Sequence, residues 1–434
     1  MHSDKKYSTR SATAVIVANM IGTGVFASLG YQLLDIQSGF VLLLLWAVGG
    51  LTALFGALSY AELGSALPRS GGEYHFLSKI YHPAAGFVTG WVSTTIGFAA
   101  PTAMVAILFG GYFSSVFRSL NETILAAGLI IVLTAIHITN HRQSGGFHQI
   151  MTLVKLILIT LFCVAGFTAE PIKGIKFVPH QEDLSIILSS SFAVSLIYVN
   201  YAYMGWNSAT YISSELENPQ KSLPRILLRG TLLVAILYVL INAVFLYVAP
   251  IEEMKGVKEI GFIAAKYIFG DSGSVIFSIC LSIVLISTVS AMTIAGPRAF
   301  QSIGQDYSLF KILAKTNNNN IPVYAILLQS ILSLIFIFTS SFQSILIFAG
   351  FTLGLSNFAT VLGVFVLRYK QPKLIRPYKT WLYPLTPLLY LLLMGWTLWH
   401  ITIEKPSEAL MSLVVIVAGI LMYLASIIIK PGKN

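Results

Sequence analysis

The longest uncharged stretch of the chain covers residues 316–367. A transmembrane helix needs roughly 20 apolar residues, so this stretch is long enough for two helices, with TSSF at residues 339–342 as the expected turn between them. Hydrophobic residues make up 56% of the chain and charged residues only 10%, whereas soluble proteins average about 25% charged residues. Polar surface is too scarce to cover a water-soluble globule, and the sequence therefore predicts an all-α polytopic membrane protein.

Similar apolar runs recur along the chain and predict twelve transmembrane helices. Their centres lie near Gly22, Leu51, Ile96, Val132, Ile157, Leu196, Leu237, Leu285, Leu332, Leu355, Leu391 and Val417. An even number of crossings places both termini on one side of the membrane, and lysine and arginine are more frequent in the loops on that side. The positive-inside rule therefore predicts a multi-pass protein of the cell membrane with both termini in the cytoplasm.

Two of the predicted spans carry glycine and polar residues near their midpoints. The first contains GTG at residues 22–24, and the sixth contains GWN at residues 205–207. Glycine weakens a helix, and lipid cannot bond the backbone groups that a break would free. Glycine also lets a neighbouring membrane helix approach closely, so one such motif alone would favour packing.

The two interrupted helices occupy the same position in successive groups of five spans. An odd number of spans reverses direction in the membrane, so two groups of five can form an inverted repeat, in which matching discontinuous helices indicate a midplane substrate site. The N-terminus of a half-helix offers free N–H groups to a carboxylate, and the end of the other half offers carbonyls to an ammonium group. Two broken helices can thus hold a zwitterion without a charged side chain, and we favour this interpretation over packing alone.

Three segments resemble the amino acid–polyamine–organocation superfamily and, within it, the L-type amino acid transporters. They are IGTGVF in the first span, YAELGSALPRSGGEYHFL in the second span and its loop, and YAYMGWNSATYISSELENPQKSLPR in and after the sixth span. In this group the chain looks most similar to bacterial alanine–serine–cysteine exchangers. The resemblance implies a single transporter domain over residues 1–434. Its parts would be one repeat over about 12–168, an inverted repeat over about 185–367 and two extra C-terminal helices over about 380–429.

The resemblance implies an exchanger of small neutral L-amino acids that works by alternating access and without sodium. Carried over to this chain, the backbone amides that would bind the substrate carboxylate are those of Gly22, Thr23 and Gly24. The backbone carbonyls that would bind its amino group are those of Met20, Tyr201, Ala202 and Met204. Tyr201 also occupies the place of an aromatic gate over the substrate.

Three further residues of the sixth and seventh spans belong to the predicted site. Tyr238 is placed to reach the pocket, as a tyrosine there does in some members of the family, although an interhelical hydrogen bond would explain it equally well. We expect Trp206 and Asn207 to fix the half of the sixth helix that follows the break.

Lys155 lies in the apolar run MTLVKLILITLF, and no Asp or Glu lies near the middle of a span. A buried ammonium needs a partner or a function, unless it lies near a helix end and reaches water. Some family members carry a lysine at this place, where sodium-coupled relatives hold an ion, so the resemblance implies a coupling role. Burial can also make an ammonium release its proton, which makes a proton-coupled symporter the main alternative. A sodium site ranks third, with hydroxyls from Ser287, Thr288, Ser290 and Thr293.

Other classes of function have little support in the sequence. No metal-ligand spacing, phosphate loop or activated nucleophile is present, so we expect no enzyme, no cofactor and no metal, and no nucleic acid as partner. A pore or a membrane receptor is the alternative outside transporters. Cys163 and Cys280 lie in apolar runs and are expected to be buried. The loop YFSSVFRSLNET after the third span contains no cysteine, so we expect no disulfide-linked ancillary subunit of the kind that eukaryotic L-type members bind.

Overall fold

The computed structural model describes residues 8–139, 145–172 and 175–428. Within these ranges the chain is helical and contains no β-strand. Ten helical segments of the described chain are long and apolar enough to cross a membrane. The predicted all-α polytopic fold is confirmed.

Twelve segments follow the order of the predicted spans, and we number them spans 1 to 12. The ten long ones are Thr9–Gln32 (span 1), Gly39–Ala66 (span 2), Pro83–Val116 (span 3), Glu122–Thr139 (span 4), Ile150–Thr168 (span 5), Pro219–Val248 (span 7), Ile260–Asp306 (span 8), Phe342–Lys370 (span 10), Leu385–Glu404 (span 11) and Pro406–Ile428 (span 12). The helix of span 5 begins earlier and covers Gly145–Thr168. Span 9 is the shorter helix Val323–Thr339, and span 6 is divided between helices Ser190–Ala202 and Ser208–Glu215.

Several connections between the described spans contain small helices. Span 9 ends at Thr339 and span 10 begins at Phe342, so the turn predicted at TSSF is confirmed. The loop helices are Gly72–Ile80, Asp183–Ile187, Ile251–Met254, Ser308–Phe310 and Lys311–Ala314. Of these, Gly72–Ile80 follows span 2 and contacts span 6.

Both predicted interruptions are present. Span 1 consists of helix Thr9–Met20 (half-helix 1a) and helix Gly24–Gln32 (half-helix 1b), with residues 21–23 outside both. Span 6 consists of helix Ser190–Ala202 (half-helix 6a) and the 3₁₀ helix Ser208–Glu215 (half-helix 6b). Because 3₁₀ hydrogen bonds have poorer geometry than α-helical ones, half-helix 6b depends on side chains around it to keep its place.

Span 3 has an interruption that the sequence did not reveal. Its helices Pro83–Thr95 and Ala99–Val116 are separated by a turn. Just before the turn, the hydroxyls of Thr94 and Thr95 donate to the Trp91 carbonyl at 2.9 and 2.7 Å. Such bonds from a hydroxyl to the preceding turn bend a helix, and here the helix ends.

The chain divides into two compact units, each assembled from separate stretches of sequence. Unit 1 contains residues 1–89, 170–256 and 354–406, and unit 2 contains residues 90–169, 257–353 and 407–434. In unit 1, span 2 packs against span 7, span 11 and half-helix 6a. In unit 2, span 8 packs against spans 4, 5 and 9 and against helix Ala99–Val116. The division into two inverted repeats remains a prediction.

The two cysteines differ in their exposure. Cys163 is buried as predicted, but Cys280 is exposed on span 8, so the prediction of burial is wrong there. An apolar side chain on a membrane helix does not need the protein interior, because lipid tails are equally apolar.

Candidate functional site

The interruptions of span 1 and span 6 lie against each other within unit 1. A Cβ atom on Gly24 would lie only 2.5 Å from the Cα atom of Ala202, where half-helix 6a ends. A Cβ atom on Gly205 would lie 2.8 Å from the carbonyl carbon of Asn19, in the last turn of half-helix 1a. Gly205 also has a φ of +105°, which side chains disfavour. Gly24 and Gly205 therefore allow the two breaks to touch.

Gly22 differs from Gly24 because a side chain there would meet almost nothing. Beyond its chain neighbours, only the carbonyl oxygen of Met20 would lie within 4 Å of a Cβ atom, at 3.9 Å. The Gly22 N–H donates to this same oxygen at 2.8 Å, so its amide is turned toward half-helix 1a. Close packing against Ala202 explains why position 24 is a glycine. It does not explain the glycine at position 22, which has open space beside it.

The carbonyl oxygen of Met20 accepts a second hydrogen bond from span 7. The Tyr238 hydroxyl donates to it at 2.5 Å, and Tyr238 is only 1% exposed. The interhelical hydrogen bond that the sequence allowed for Tyr238 is therefore present. It places the hydroxyl directly at the break in span 1.

Half-helix 1b begins at the break, with Thr23 as its N-cap residue and Gly24 as its first residue. The first N–H groups of a helix have no intrahelical acceptor and carry positive partial charge. The Thr23 side chain makes no capping hydrogen bond to the helix. The start of half-helix 1b thus has the backbone arrangement that binds anions at helix N-termini.

Half-helix 6a ends beside this point and leaves its last carbonyls near the break. The Tyr201 carbonyl accepts the Met204 amide at 2.9 Å, which tightens the end of the helix. Tyr201 and Ala202 are buried, whereas Met204 is partly exposed. The structure brings Ala202 to Gly24, while the roles expected for Tyr201 and Met204 remain predictions.

Two aromatic rings pack against Tyr238, whose hydroxyl bonds to Met20. Trp46 of span 2 meets the Tyr238 ring edge-on at 5.7 Å between centroids, and Tyr203 lies 5.0 Å from Tyr238. The Tyr203 hydroxyl donates to the Trp46 carbonyl at 3.1 Å, and the Trp46 indole donates to Gln32 Oε1 at 3.1 Å. Sequence analysis did not assign Trp46 or Tyr203 to the site. Gln32 in the apolar half-helix 1b could have indicated such a partner, because a buried side-chain amide needs a hydrogen-bonding group near it.

A second group of unit 1, which we call the Glu73 cluster, consists of Glu73, Tyr60, Asn207 and Tyr211. The Glu73 carboxylate accepts hydrogen bonds from the Asn207 side-chain amide and from the Tyr211 hydroxyl. The Tyr60 hydroxyl of span 2 donates to it at 2.9 Å. Trp206 packs edge-on against the Tyr60 ring, with 4.6 Å between centroids. Trp206 and Asn207, which were expected to fix half-helix 6b, thus both contact this cluster.

Glu73 is 2% exposed, and the hydrogen bonds described for it come from neutral groups. His75, two residues further on, adds no positive charge at neutral pH. Burial, assisted by the charges of Arg69 and Lys79, lowers the pKa of His75 to about 4. Sequence analysis did not assign Glu73 to a site, because its partner Asn207 lies 134 residues away along the chain.

Glu62, at the end of span 2, is a buried carboxylate with cationic partners. Arg368 donates to it from Nε at 2.8 Å and from Nη2 at 2.7 Å. The Thr380 amide donates at 2.7 Å, and Arg376 lies at ion-pair distance, 3.4 Å. The Arg368 guanidinium also lies 3.6 Å above the centre of the Tyr383 ring. We call Glu62, Arg368, Arg376 and Thr380 the Glu62 cluster.

In unit 2, Lys155 is 8% exposed, and its ammonium donates to the Thr288 hydroxyl of span 8 at 3.3 Å. The side chain therefore does not extend into water. Among the hydroxyls considered for sodium, Thr288 and Thr293 donate to carbonyls one turn earlier in their own helix, as hydroxyls in membrane helices commonly do. Ser290 bonds instead to His137 at 3.0 Å. A coupling role for Lys155 remains a prediction.

Comparison with known proteins identifies one matching family and several similar transporters. The amino acid permease family profile matches residues 7–425. The chain is 26% identical to the b(0,+)-type amino acid transporter 1 of Mus musculus, over 99% of this chain and 89% of that protein. It is 28% identical to the large neutral amino acids transporter small subunit 2 of Homo sapiens, over 95% of this chain and 78% of that protein. It is also 28% identical to the cystine/glutamate transporter of Pongo abelii, over 86% of this chain and 76% of that protein.

Proposed function

The chain belongs to the amino acid permease family, and from this premise we propose that it exchanges small neutral L-amino acids across the cell membrane by alternating access. The observation that carries the proposal is the contact between two interrupted helices, Gly24 against Ala202 and Gly205 against Asn19. Discontinuous helices that meet in this way form the substrate sites of many secondary transporters. The relatives named above are amino acid transporters.

The substrate carboxylate binds at the start of half-helix 1b in this proposal. The amides of Thr23 and Gly24 are placed where a helix leaves N–H groups without intrahelical acceptors. The Gly22 amide joins them when it leaves the Met20 carbonyl, to which it donates in the described conformation. The open space beside Gly22 gives the substrate room to approach.

The substrate amino group binds backbone carbonyls on the other side of the site. Tyr238 supports the Met20 carbonyl from span 7 and holds it at the break. The carbonyls assigned to the amino group are those of Met20, Tyr201, Ala202 and Met204. Tyr201 then closes over the substrate as a gate.

A neutral side chain on the substrate fits the groups around the breaks. Tyr238 bonds to Met20 at the interruption of span 1, and the uncharged rings of Trp46 and Tyr203 pack against Tyr238. The names of the relatives cover large neutral amino acids as well as cystine and glutamate, so family membership alone does not select a substrate. The preference for alanine, serine and cysteine follows from the resemblance in the sequence motifs.

Lys155 replaces a bound sodium ion in the proposed cycle. Its buried ammonium and its bond to Thr288 support a fixed positive charge in unit 2. Exchange would then need no ion gradient. A lysine with a hydroxyl partner is also suited to giving up a proton, and for that reason proton-coupled symport is the second candidate.

The proposed topology has two inverted repeats of five spans, two further helices and both termini in the cytoplasm. The termini themselves lie outside the described residues. We also propose that the protein works without a disulfide-linked partner. Cys163 is buried and Cys280 lies within span 8, so neither cysteine occupies the loop after span 3.

Counterflow in proteoliposomes tests the proposed function. Uptake of labelled alanine is measured into empty vesicles and into vesicles preloaded with unlabelled alanine, with sodium and pH gradients imposed separately. We expect uptake to require internal alanine. Neither the sodium gradient nor the pH gradient should change its rate. Uptake into empty vesicles driven by a proton gradient would replace exchange by symport. Flux that does not saturate would indicate a pore, and binding without flux a receptor.

The same assay tests Lys155. Lys155→Ala should slow exchange while alanine binding, measured by ligand-dependent thermal stabilisation, is largely kept. Exchange at the wild-type rate would exclude the coupling role.

A further inference from the structure

Half-helix 6b is attached to the rest of unit 1 through the carboxylate of Glu73. Asn207 is the N-cap residue of this half-helix and donates to Oε1 of Glu73. Tyr211 lies in the next turn and donates to Oε2. Because the two donors use different oxygens, the carboxylate fixes the direction of the half-helix as well as its position.

The loop before Glu73 is shaped to receive Tyr211. Gly71 and Gly72 have φ values of +127° and +53°, which turn the chain sharply before helix Gly72–Ile80. A Cβ atom on Gly72 would lie 2.9 Å from the Tyr211 ring. The glycine therefore serves both the turn and the close approach of half-helix 6b to the loop.

Tyr60 extends the attachment to span 10 within unit 1. Its hydroxyl lies 2.9 Å from Glu73 Oε1 and 2.8 Å from the side-chain oxygen of Asn357. A phenol has one proton, so when Tyr60 donates to Glu73 the amide group of Asn357 supplies the donor of the other bond. Half-helix 6b is thus connected to spans 2 and 10 through one carboxylate.

The chemistry of these bonds allows them to be broken and remade. Phenol and amide donors that leave a carboxylate can bond to water instead, so only the carboxylate charge loses its partners and has to be hydrated. A buried ion pair behaves differently, because separating it leaves two uncompensated charges. The Glu73 cluster therefore holds half-helix 6b strongly enough to place it and still permits its release.

The residues of span 6 that Glu73 binds lie on one side of the proposed substrate-binding groups. Asn207 and Tyr211 lie at the end of the interruption of span 6 and beyond it, whereas the backbone groups proposed to bind substrate lie earlier in span 6, as far as Met204, or belong to span 1. Loss of the Glu73 bonds would thus change how half-helix 6b moves and leave the proposed binding groups in place. This separation distinguishes a positioning residue from a binding residue.

We propose that Glu73 is a positioning residue for exchange: its carboxylate holds half-helix 6b in the described conformation, releases it when the site changes access, and so governs turnover and not substrate affinity. This inference rests on the proposed function for its transport consequence. The attachment of half-helix 6b to Glu73 can be tested without transport.

The transport test compares Glu73→Ala with Glu73→Gln in alanine counterflow. Glu73→Ala removes every acceptor, and we expect the maximal exchange rate to fall at least tenfold while the alanine Kd from thermal stabilisation stays within threefold. Glu73→Gln keeps an acceptor oxygen of the same shape and should recover at least a third of the wild-type rate. An unchanged rate in Glu73→Ala, or an equal loss of rate and affinity, would overturn the proposal.

The second test measures the accessibility of half-helix 6b. In a background with Cys163→Ser and Cys280→Ser, one variant carries Ser208→Cys, because the Ser208 hydroxyl oxygen is buried at the start of half-helix 6b. A control variant carries Ser65→Cys, since Ser65 is buried beside Glu62. Addition of Glu73→Ala should raise the maleimide labelling rate at least tenfold at position 208 and leave it unchanged at position 65.

The two positions separate the possible outcomes. An unchanged rate at position 208 would overturn the attachment, and an equal rise at both positions would show general loosening and overturn it as well. If the wild-type protein exchanges no amino acid, the proposed function fails on the counterflow result alone. The labelling result then still decides whether Glu73 holds half-helix 6b.

Discussion

Glu62 and Glu73 are both buried carboxylates of unit 1, and their partners are of opposite kinds. Glu62 binds Arg368, Arg376 and a backbone amide, whereas Glu73 binds two phenols and a side-chain amide. A buried charge with cationic partners is fixed, because separation leaves charges without compensation. A buried charge with neutral donors can change partners. The partners of each carboxylate, and not the carboxylate itself, therefore determine how firmly it is held.

The location of the two clusters agrees with this difference. The Glu62 cluster joins the end of span 2 to the end of span 10 and to the loop before span 11. The Glu73 cluster instead joins the loop after span 2 to half-helix 6b. Only the second cluster includes a part of an interrupted span.

The largest expected effect is the loss of the Glu62 charge. Glu62→Gln leaves Arg368 and Arg376 without their carboxylate, and removing one partner of a buried pair destabilises proteins by about 3–5 kcal/mol. Unfolding in detergent, followed by size-exclusion chromatography after heating, should show a large fall in the apparent Tm. The double variant with Arg368→Gln should regain part of it. An unchanged Tm would contradict the fixed character of the Glu62 cluster.

A smaller loss of stability is expected from Arg368→Lys. Lysine keeps the charge but cannot form the two-pronged bond to Glu62 or stack on Tyr383 in the same way. Loss of one bond to a charged group is worth about 1.5–3 kcal/mol. The apparent Tm should lie between those of the wild type and Glu62→Gln. The alanine exchange rate, normalised to the amount of folded protein, should stay near the wild-type value. A tenfold loss of exchange in folded Arg368→Lys would mean that the Glu62 cluster also moves.

The reverse pattern is expected from Tyr211→Phe. The Glu73 carboxylate keeps its bonds from Asn207 and Tyr60, so stability should fall by about 1.5–3 kcal/mol, the worth of one hydrogen bond to a charged group. Alanine exchange should slow severalfold, because half-helix 6b has lost one of its two attachments. Measurement of the apparent Tm and of the alanine exchange rate on the same preparation checks the expected stability loss and the expected slowing. A loss of stability as large as that of Glu62→Gln would remove the distinction between the two clusters.

The smallest expected effect is a change in the pH dependence of stability, and it concerns His75, two residues after Glu73. The pKa of His75 is lowered to about 4 in the folded protein, whereas an unfolded histidine titrates near 6.5. The folded state therefore binds fewer protons, and the stability that neutral His75 contributes is complete above pH 6.5 and is lost as the pH falls toward 4. The apparent Tm should fall less between pH 7 and 5 in His75→Gln than in the wild type. Equal slopes would show that His75 does not control this acid sensitivity.

The sequence correctly predicted the features that depend on residues close together in the chain, namely the membrane helices and two of the helix breaks. Long apolar runs gave the helical membrane fold, and GTG and GWN correctly located the breaks in spans 1 and 6. Both results follow from local chemistry, because hydropathy decides what enters lipid and glycine weakens a helix where it stands. The break in span 3 was missed because its threonines resemble any other polar residue of a helix.

The clusters were missed because they depend on distant contacts. Burial of Glu73 is possible only when Asn207 and Tyr211 approach from span 6, and nothing near Glu73 in the sequence identifies these donors. Trp46 likewise acquires its place from Gln32 and Tyr203. The contact between Gly24 and Ala202 was inferred only in outline, as two breaks in equivalent positions. Which backbone groups point at a ligand depends on geometry that spacing does not encode.

The ion pair between Glu62 and Arg368 has a consequence for how the protein is made. The two residues are separated by 306 positions, and translation proceeds at about 5–20 residues per second. Glu62 is therefore synthesised roughly 15–60 s before Arg368. During that interval the end of span 2 must keep its carboxylate in contact with water or with the insertion machinery. Unit 1 can close around Glu62 only when synthesis has reached the end of span 10, so premature release of the nascent chain would leave a membrane protein with an uncompensated charge in its interior.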